Sequence, residues 1–258
     1  KHEINNTGKT MNNGYIHGRL LCRECFRGSE DTLLLGDWRL QNNPAYYGSS
    51  SPKILILGFS KGANQNKAAE GGNFDKIAFA NARHRLQEIL EILDIMPKDR
   101  GIDTLMTAHE KTFGIASLVR CSFAKMVGGT YKTSGYVIPS AFTNSETVKI
   151  IATCSTKYLG ILPKSIRLII LLGTSETYIK KTQTLIAQLY SDFTPENQVS
   201  FKAGGALWVY ATHPSPGNGY FNAWIRNGRD DKSGLKRILT QQAISEYYRK
   251  AGLSKRRN

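Results

Sequence analysis

Apolar residues along this chain gather into four short, nearly unbroken runs: residues 53–59 (KILILGF), 115–120 (IASLVR), 166–173 (IRLIILLG) and 207–212 (LWVYAT). Runs this short and this rich in Ile, Leu and Val suit strands covered on both faces, as in the middle of a parallel sheet. Between them the period changes. Leu86, Ile89, Leu90 and Leu93 fall at i, i+3, i+4 and i+7, on one face of a helix. Ile179, Thr182, Leu185, Ile186 and Leu189 follow a second helical face. Ile238, Leu239, Ala243, Ile244, Tyr247 and Tyr248 predict a C-terminal helix. Strands alternating with helices predict an α/β fold, a three-layer α/β/α sandwich with a central, mainly parallel four-stranded sheet. Residues 128–142 read as a polar loop or lid, and 44–52 (PAYYGSSSP) as a linker into the first strand. This divides the chain into an N-terminal segment, 1–52, packed on a main domain, 53–258.

In open sheets of this kind, ligands bind beyond the carboxyl ends of the strands. Two of those ends carry unusual loops. The first strand runs into Gly58-Phe59-Ser60-Lys61-Gly62, where two glycines let backbone N–H groups approach an anion or a carbonyl oxygen. It is no P-loop, because the Gly-Lys-Ser/Thr ending is missing. The last strand runs into His213-Pro214-Ser215-Pro216, where each proline fixes its own φ and restricts the residue before it. A His held so stiffly suits stabilisation of a developing oxyanion, though it equally suits a turn whose His caps a backbone group.

Charge adds a partner to this picture. The chain carries a formal net charge of +15 and a sequence pI of about 9.7. Such an excess captures polyanions, and nucleic acid is the first candidate. From residue 226 to the end, ten Lys or Arg face three Asp or Glu. That tail is either a solvated helix face or a phosphate-binding flank. No run of about 18 apolar residues exists, so no membrane partner is expected. The polar residues 1–18 lack the apolar core of a secretion signal, and the expectation is a cytoplasmic monomer.

The four cysteines are Cys22, Cys25, Cys121 and Cys154. A chain this long needs no disulfides to hold a core. Thiolates suit iron–sulfur clusters and zinc, and unliganded thiols are the third option.

The Gly58 and His213 loops, taken together and in this order, resemble the two signature motifs of the uracil-DNA glycosylase superfamily. The cysteines look like those of its members with a four-iron, four-sulfur (4Fe-4S) cluster, which carry an N-terminal Cys-x-x-Cys, a third Cys after the second core strand and a fourth on the helix leading into the third. Here those are Cys22 and Cys25, Cys121 and Cys154. The stretch from Cys121 to Cys154 is longer than that pattern, and an inserted loop at 128–143 accounts for it. The resemblance implies a DNA glycosylase that flips uracil or a related deaminated base out of DNA and hydrolyses its glycosidic bond. It assigns His213 to the base oxygen as charge develops and Ser215 to a phosphate. Gly58, Phe59 and Gly62 would cradle the base edge, and Phe79 would stack on it, with Phe74 as competitor. Tyr220 and Phe221 are either a wedge in the base stack or packing residues.

This chain departs from the pattern at two chemically important positions, and it carries a few extra residues between the Gly58–Gly62 loop and Phe79. Ser60 stands where relatives place a residue that positions water, and it has no charge to offer a sugar cation. Ser117 stands where iron–sulfur members often read uracil with Asn, and a hydroxyl cannot make a bidentate amide contact. Asn64, Gln65 and Asp75 are the other polar groups considered for the water. The alternative expectation is therefore a catalytically weak or inactive protein that binds uracil or abasic DNA.

Overall fold

The computed structural model describes residues 13–62, 73–133, 135 and 137–252. Four parallel strands form its centre, one from each apolar run: β5 (Ile54–Gly58), β6 (Phe113–Ser117), β9 (Leu168–Leu172) and β12 (Ala206–Ala211). They lie in the order β6-β5-β9-β12, with Ile54 beside both Phe113 and Leu168, and Leu168 beside Leu207. Successive side chains alternate between faces. Leu55, Leu57, Ile169, Leu171, Trp208 and Tyr210 enter one core, shared with the helices Ser145–Leu159 and Glu176–Leu189. Ile54, Ile56, Leu168, Ile170, Leu207 and Val209 enter the other, under the helices Arg83–Ile92, Phe221–Arg226 and Lys232–Lys250.

The helices begin where short polar side chains can satisfy free N–H groups. Asn144 accepts from Glu146 and Thr147, Ser175 from Tyr178, and Asp231 from Ser233 and Gly234. The expected helical faces are the buried ones: Leu86, Ile89 and Leu90 in one helix, and Ile179, Thr182, Leu185 and Ile186 in another.

The sheet is larger than the four strands expected. It is an eight-stranded mixed sheet in which β1 (Gly18–Arg19) and β4 (Ala45–Gly48) extend one edge antiparallel. On the other edge, β11 (Ser200–Ala203) and β10 (Thr194–Asn197) do the same. The stretch read as a linker is thus the fully buried strand β4; its aromatic pair Tyr46-Tyr47 packs inward despite the Pro and Ser around it. A second sheet, wholly antiparallel, runs β2 (Thr32–Leu35), β3 (Trp38–Gln41), β7 (Ser122–Val127) and β8 (Thr130–Lys132). The stretch read as a loop or lid therefore includes β8 and the short helix Ile138–Ala141. The described part of the N-terminal segment, 13–52, enters both sheets, since β4 pairs with β6 and β3 with β7. Among the described residues, no helix is long and apolar enough to cross a membrane.

Where β4 leaves the sheet, Gly48 holds φ at +91°, and a Cβ there would lie 2.3 Å from the Phe113 carbonyl oxygen. That obstacle is backbone and cannot swing aside. Gly48→Ala is expected to destabilise the protein by about 2 kcal/mol or more, read from urea unfolding, whereas Gly62→Ala, which meets nothing within 4 Å among the described residues, should cost far less.

Candidate active site

Parallel pairing brings the loops after β5, β6 and β12 to one edge of the sheet. They enclose a cleft of about 280 Å³. Gly58, Ser60, Gly62, Phe79, Ser117, His213 and Ser215 all line it. Gly58 and Ser117 are direct neighbours across the β5–β6 pair. A Cβ on Gly58 would stand 3.6 Å from the Ser117 hydroxyl, on ground that glycine leaves to the cleft.

His213 is fixed by its own loop. The Ser215 backbone N–H donates to its Nδ1 at 3.0 Å, so the neutral ring carries its proton on Nε2. Asn218 pins the turn from below, donating to the Thr212 hydroxyl at 2.9 Å and to the His213 carbonyl at 2.7 Å. Arg85 donates to the Ser215 carbonyl at 2.8 Å and lies over the Phe221 ring at 4.5 Å. The residue as a whole is half-buried, but protein packs closely around the ring, and this burial pushes its pKa down to about 4. At neutral pH the cleft therefore holds a neutral imidazole that donates from Nε2.

Phe79 sits 6.4 Å from His213, ring centre to ring centre, tilted by 52°. Its φ of +51° is the left-handed region, which a bulky residue adopts only when its surroundings impose it. Phe74 is not on the cleft; it stacks on Tyr47 at 4.5 Å. Phe59 also points away. Its side chain is 3% exposed and packs near Phe123 and Phe142, so it brings no ring to the cleft. Phe221 is core, and Tyr220 is exposed. Asp75 pairs with His17 at 2.9 Å. Asn64 and Gln65 lie outside the described residues.

Ser60 shows an unmet need. Its hydroxyl is buried and has no hydrogen-bond partner among the described residues. The neighbouring Lys61, which the sequence reading did not single out, is buried. Its Nζ donates to the Asn43 carbonyl at 2.7 Å, and burial lowers its pKa to about 8. Its backbone N–H reaches the Cys121 carbonyl at 3.4 Å. Asn43 in turn exchanges bonds with Ser122, accepting from its N–H at 2.8 Å and donating to its hydroxyl at 3.0 Å. The signal for Lys61 was its place beside Ser60 in a tight loop, but its burial depends on Asn43, 18 residues away.

That knot leads from the cleft to the cysteines. Cys22, Cys25, Cys121 and Cys154 line a single cavity together with Arg120, Lys157 and Tyr158. Cys22 and Cys25 are partly exposed, while Cys121 and Cys154 are buried. Burial pushes the thiols of Cys121 and Cys154 up to about 12 and raises that of Cys25. As free thiols, Cys121 and Cys154 are neutral at physiological pH. Among the described residues no group of three or more His, Cys, Asp or Glu is disposed to hold a single metal ion.

No family model matches this chain, and no curated protein does. Among solved structures it is similar to the crystal structure of wild-type SMUG2 from Pedobacter heparinus, at 12% identity, with 86% of this chain and 94% of that one covered and a TM-score of 0.42. So distant a likeness transfers neither activity nor site.

The buried His213 carries a pH signature. Its folded pKa lies below the ordinary 6.5, so the unfolded chain takes up the proton first. Its contribution to stability is fully present above pH 6.5 and is lost as pH falls toward about 4. Urea unfolding at a series of pH values should show this loss, and His213→Gln should flatten that part of the profile.

Proposed function

We propose that this protein is a DNA glycosylase that flips uracil or a related deaminated base into the cleft and hydrolyses its bond to the sugar. One observation carries this reading: a neutral His213, donating from Nε2, shares a cleft with the Gly58–Gly62 loop and Phe79 at the carboxyl ends of parallel strands. Breaking the C1′–N1 bond leaves its electron pair on the base, and negative charge builds on the base carbonyl. A neutral donor strengthens its bond as that charge grows, and it need not first be desolvated as a cation. Phe79 offers a ring for the base to stack on, and the Ser60 hydroxyl, unpartnered among the described residues, suits a base edge or the attacking water. Water then bonds to C1′, and the proton it gives up neutralises the departing base anion. The net charge of +15 supports a polyanionic substrate.

A second reading is favoured by one feature. Among the described residues no carboxylate lines the cleft, so no fixed negative charge there faces the sugar cation or takes the proton from water. On this reading the protein binds uracil or abasic DNA without turnover. Incubation with uracil-containing single- and double-stranded oligonucleotides separates the two. Release of free uracil, falling by about 10²- to 10³-fold in His213→Ala, supports the enzyme. Tight, salt-dependent binding with no base released from uracil, hypoxanthine or xanthine DNA supports the binding protein.

The cysteines form a second part of the proposal. Four thiols around one cavity, beside a buried cation, fit a thiolate-bound 4Fe-4S cluster held by Cys22, Cys25, Cys121 and Cys154. When bound, such a group would supply structural cross-linking of the N-terminal segment to the rest. This chain's residues do the remainder: Arg120 N–H donates to Cys154 Sγ at 3.3 Å, and Lys61 ties Cys121 to the cleft loop. Purified protein should contain iron and sulfide. Changing any of the four cysteines to Ser should bleach it and lower its Tm; stoichiometric zinc in a colourless protein would defeat the idea.

A further inference from the structure

Beside the cysteines lies a charge with no counter-charge. Arg120 is 1% exposed, and none of its three guanidinium nitrogens has a hydrogen-bond partner among the described residues. The group lies instead among three tyrosine rings, 4.9 Å from the centre of Tyr158, 5.7 Å from Tyr46 and 5.8 Å from Tyr15. A guanidinium does not shed its proton in a protein. Ring faces attract it, but they do not neutralise it, and an uncompensated charge in the interior is strongly destabilising. Arg120 lines the cavity that also holds all four cysteines.

We propose that Arg120 is the buried counter-ion of a net-negative, thiolate-bound iron–sulfur centre in this cavity. The inference rests on the reading of the four cysteines as ligands and adds a positioning and tuning residue to it. Four thiolates around the centre make the site anionic, and the adjacent guanidinium neutralises it without competing for iron. The tyrosines hold the cation in place and keep water from it. Two consequences follow. A fixed positive charge favours the more negative, reduced form, so Arg120 raises the reduction potential. It also acts with opposite sign on the two forms of the protein, stabilising the loaded one and destabilising the stripped one. A role in packing alone would act in the same direction on both.

The test uses the full-length protein, as purified and after chelator treatment, with Arg120→Met and Arg120→Lys. For R120M the expectation is iron bound about 10- to 100-fold more weakly, the range for losing a supporting contact around a metal site. Its midpoint potential should move negative. Its loaded form should melt below loaded wild type, and its stripped form above stripped wild type. R120K keeps the charge and should retain iron and a potential close to wild type; it decides the matter if R120M does not fold. Unchanged iron affinity and potential in R120M, a lower Tm in both of its forms, or loss of iron in R120K would each overturn the counter-ion role. Wild-type protein lacking iron and sulfide would overturn the cysteine reading beneath it, a separate and recognisable failure.

Discussion

Everything at the cleft depends on parallel pairing in register. Because β5, β6, β9 and β12 run the same way, their carboxyl ends arrive at one edge of the sheet. The register then sets the detail: Gly58 meets Ser117, so the floor of the cleft falls between a residue without a side chain and one with a small hydroxyl. The burial of both sheet faces keeps that register from slipping, since a shift by one residue would exchange the two cores.

The cleft holds polar groups among apolar ones, and among the described residues it has no carboxylate. Ser117 and Ser215 line it, the Ser60 hydroxyl lies buried behind it, His213 brings a neutral donor, and the ammonium of Lys61 is spent on Asn43. Such a surface answers negative charge growing on a departing group better than positive charge growing on a sugar. Ligand binding and bond cleavage in such a cleft would thus rest on different residues.

The four central strands and the faces of the long helices were legible because burial on both sides, or on one helical face, imposes a periodic pattern on sequence. The outer strands were not. β4 is bracketed by Pro44 and Ser49–Pro52, and β10 carries Pro195 and Glu196, so turn-forming residues and polar side chains mask the strand. The loops bearing His213 and Gly58 could be read from their prolines and glycines. Phe59 misled for a physical reason: an aromatic one residue past a strand can face either way, and here the core takes it. Lys61 and Arg120 look like ordinary surface cations in a basic chain. Their significance lies in burial, which is set by Asn43 in one case and three distant tyrosines in the other.

The knot of Lys61, Asn43, Cys121 and Ser122 joins two regions that a linear reading keeps apart. Its bonds belong at once to the edge of the cleft and to the cysteine cavity. Lys61 grips the backbone carbonyls of Asn43 and Cys121, which any residue there would offer, so the demand on side-chain identity falls on the Asn43–Ser122 pair. The knot also ties the first loop to the second sheet, so the stiffness of one side of the cleft is set partly by strands that do not line it.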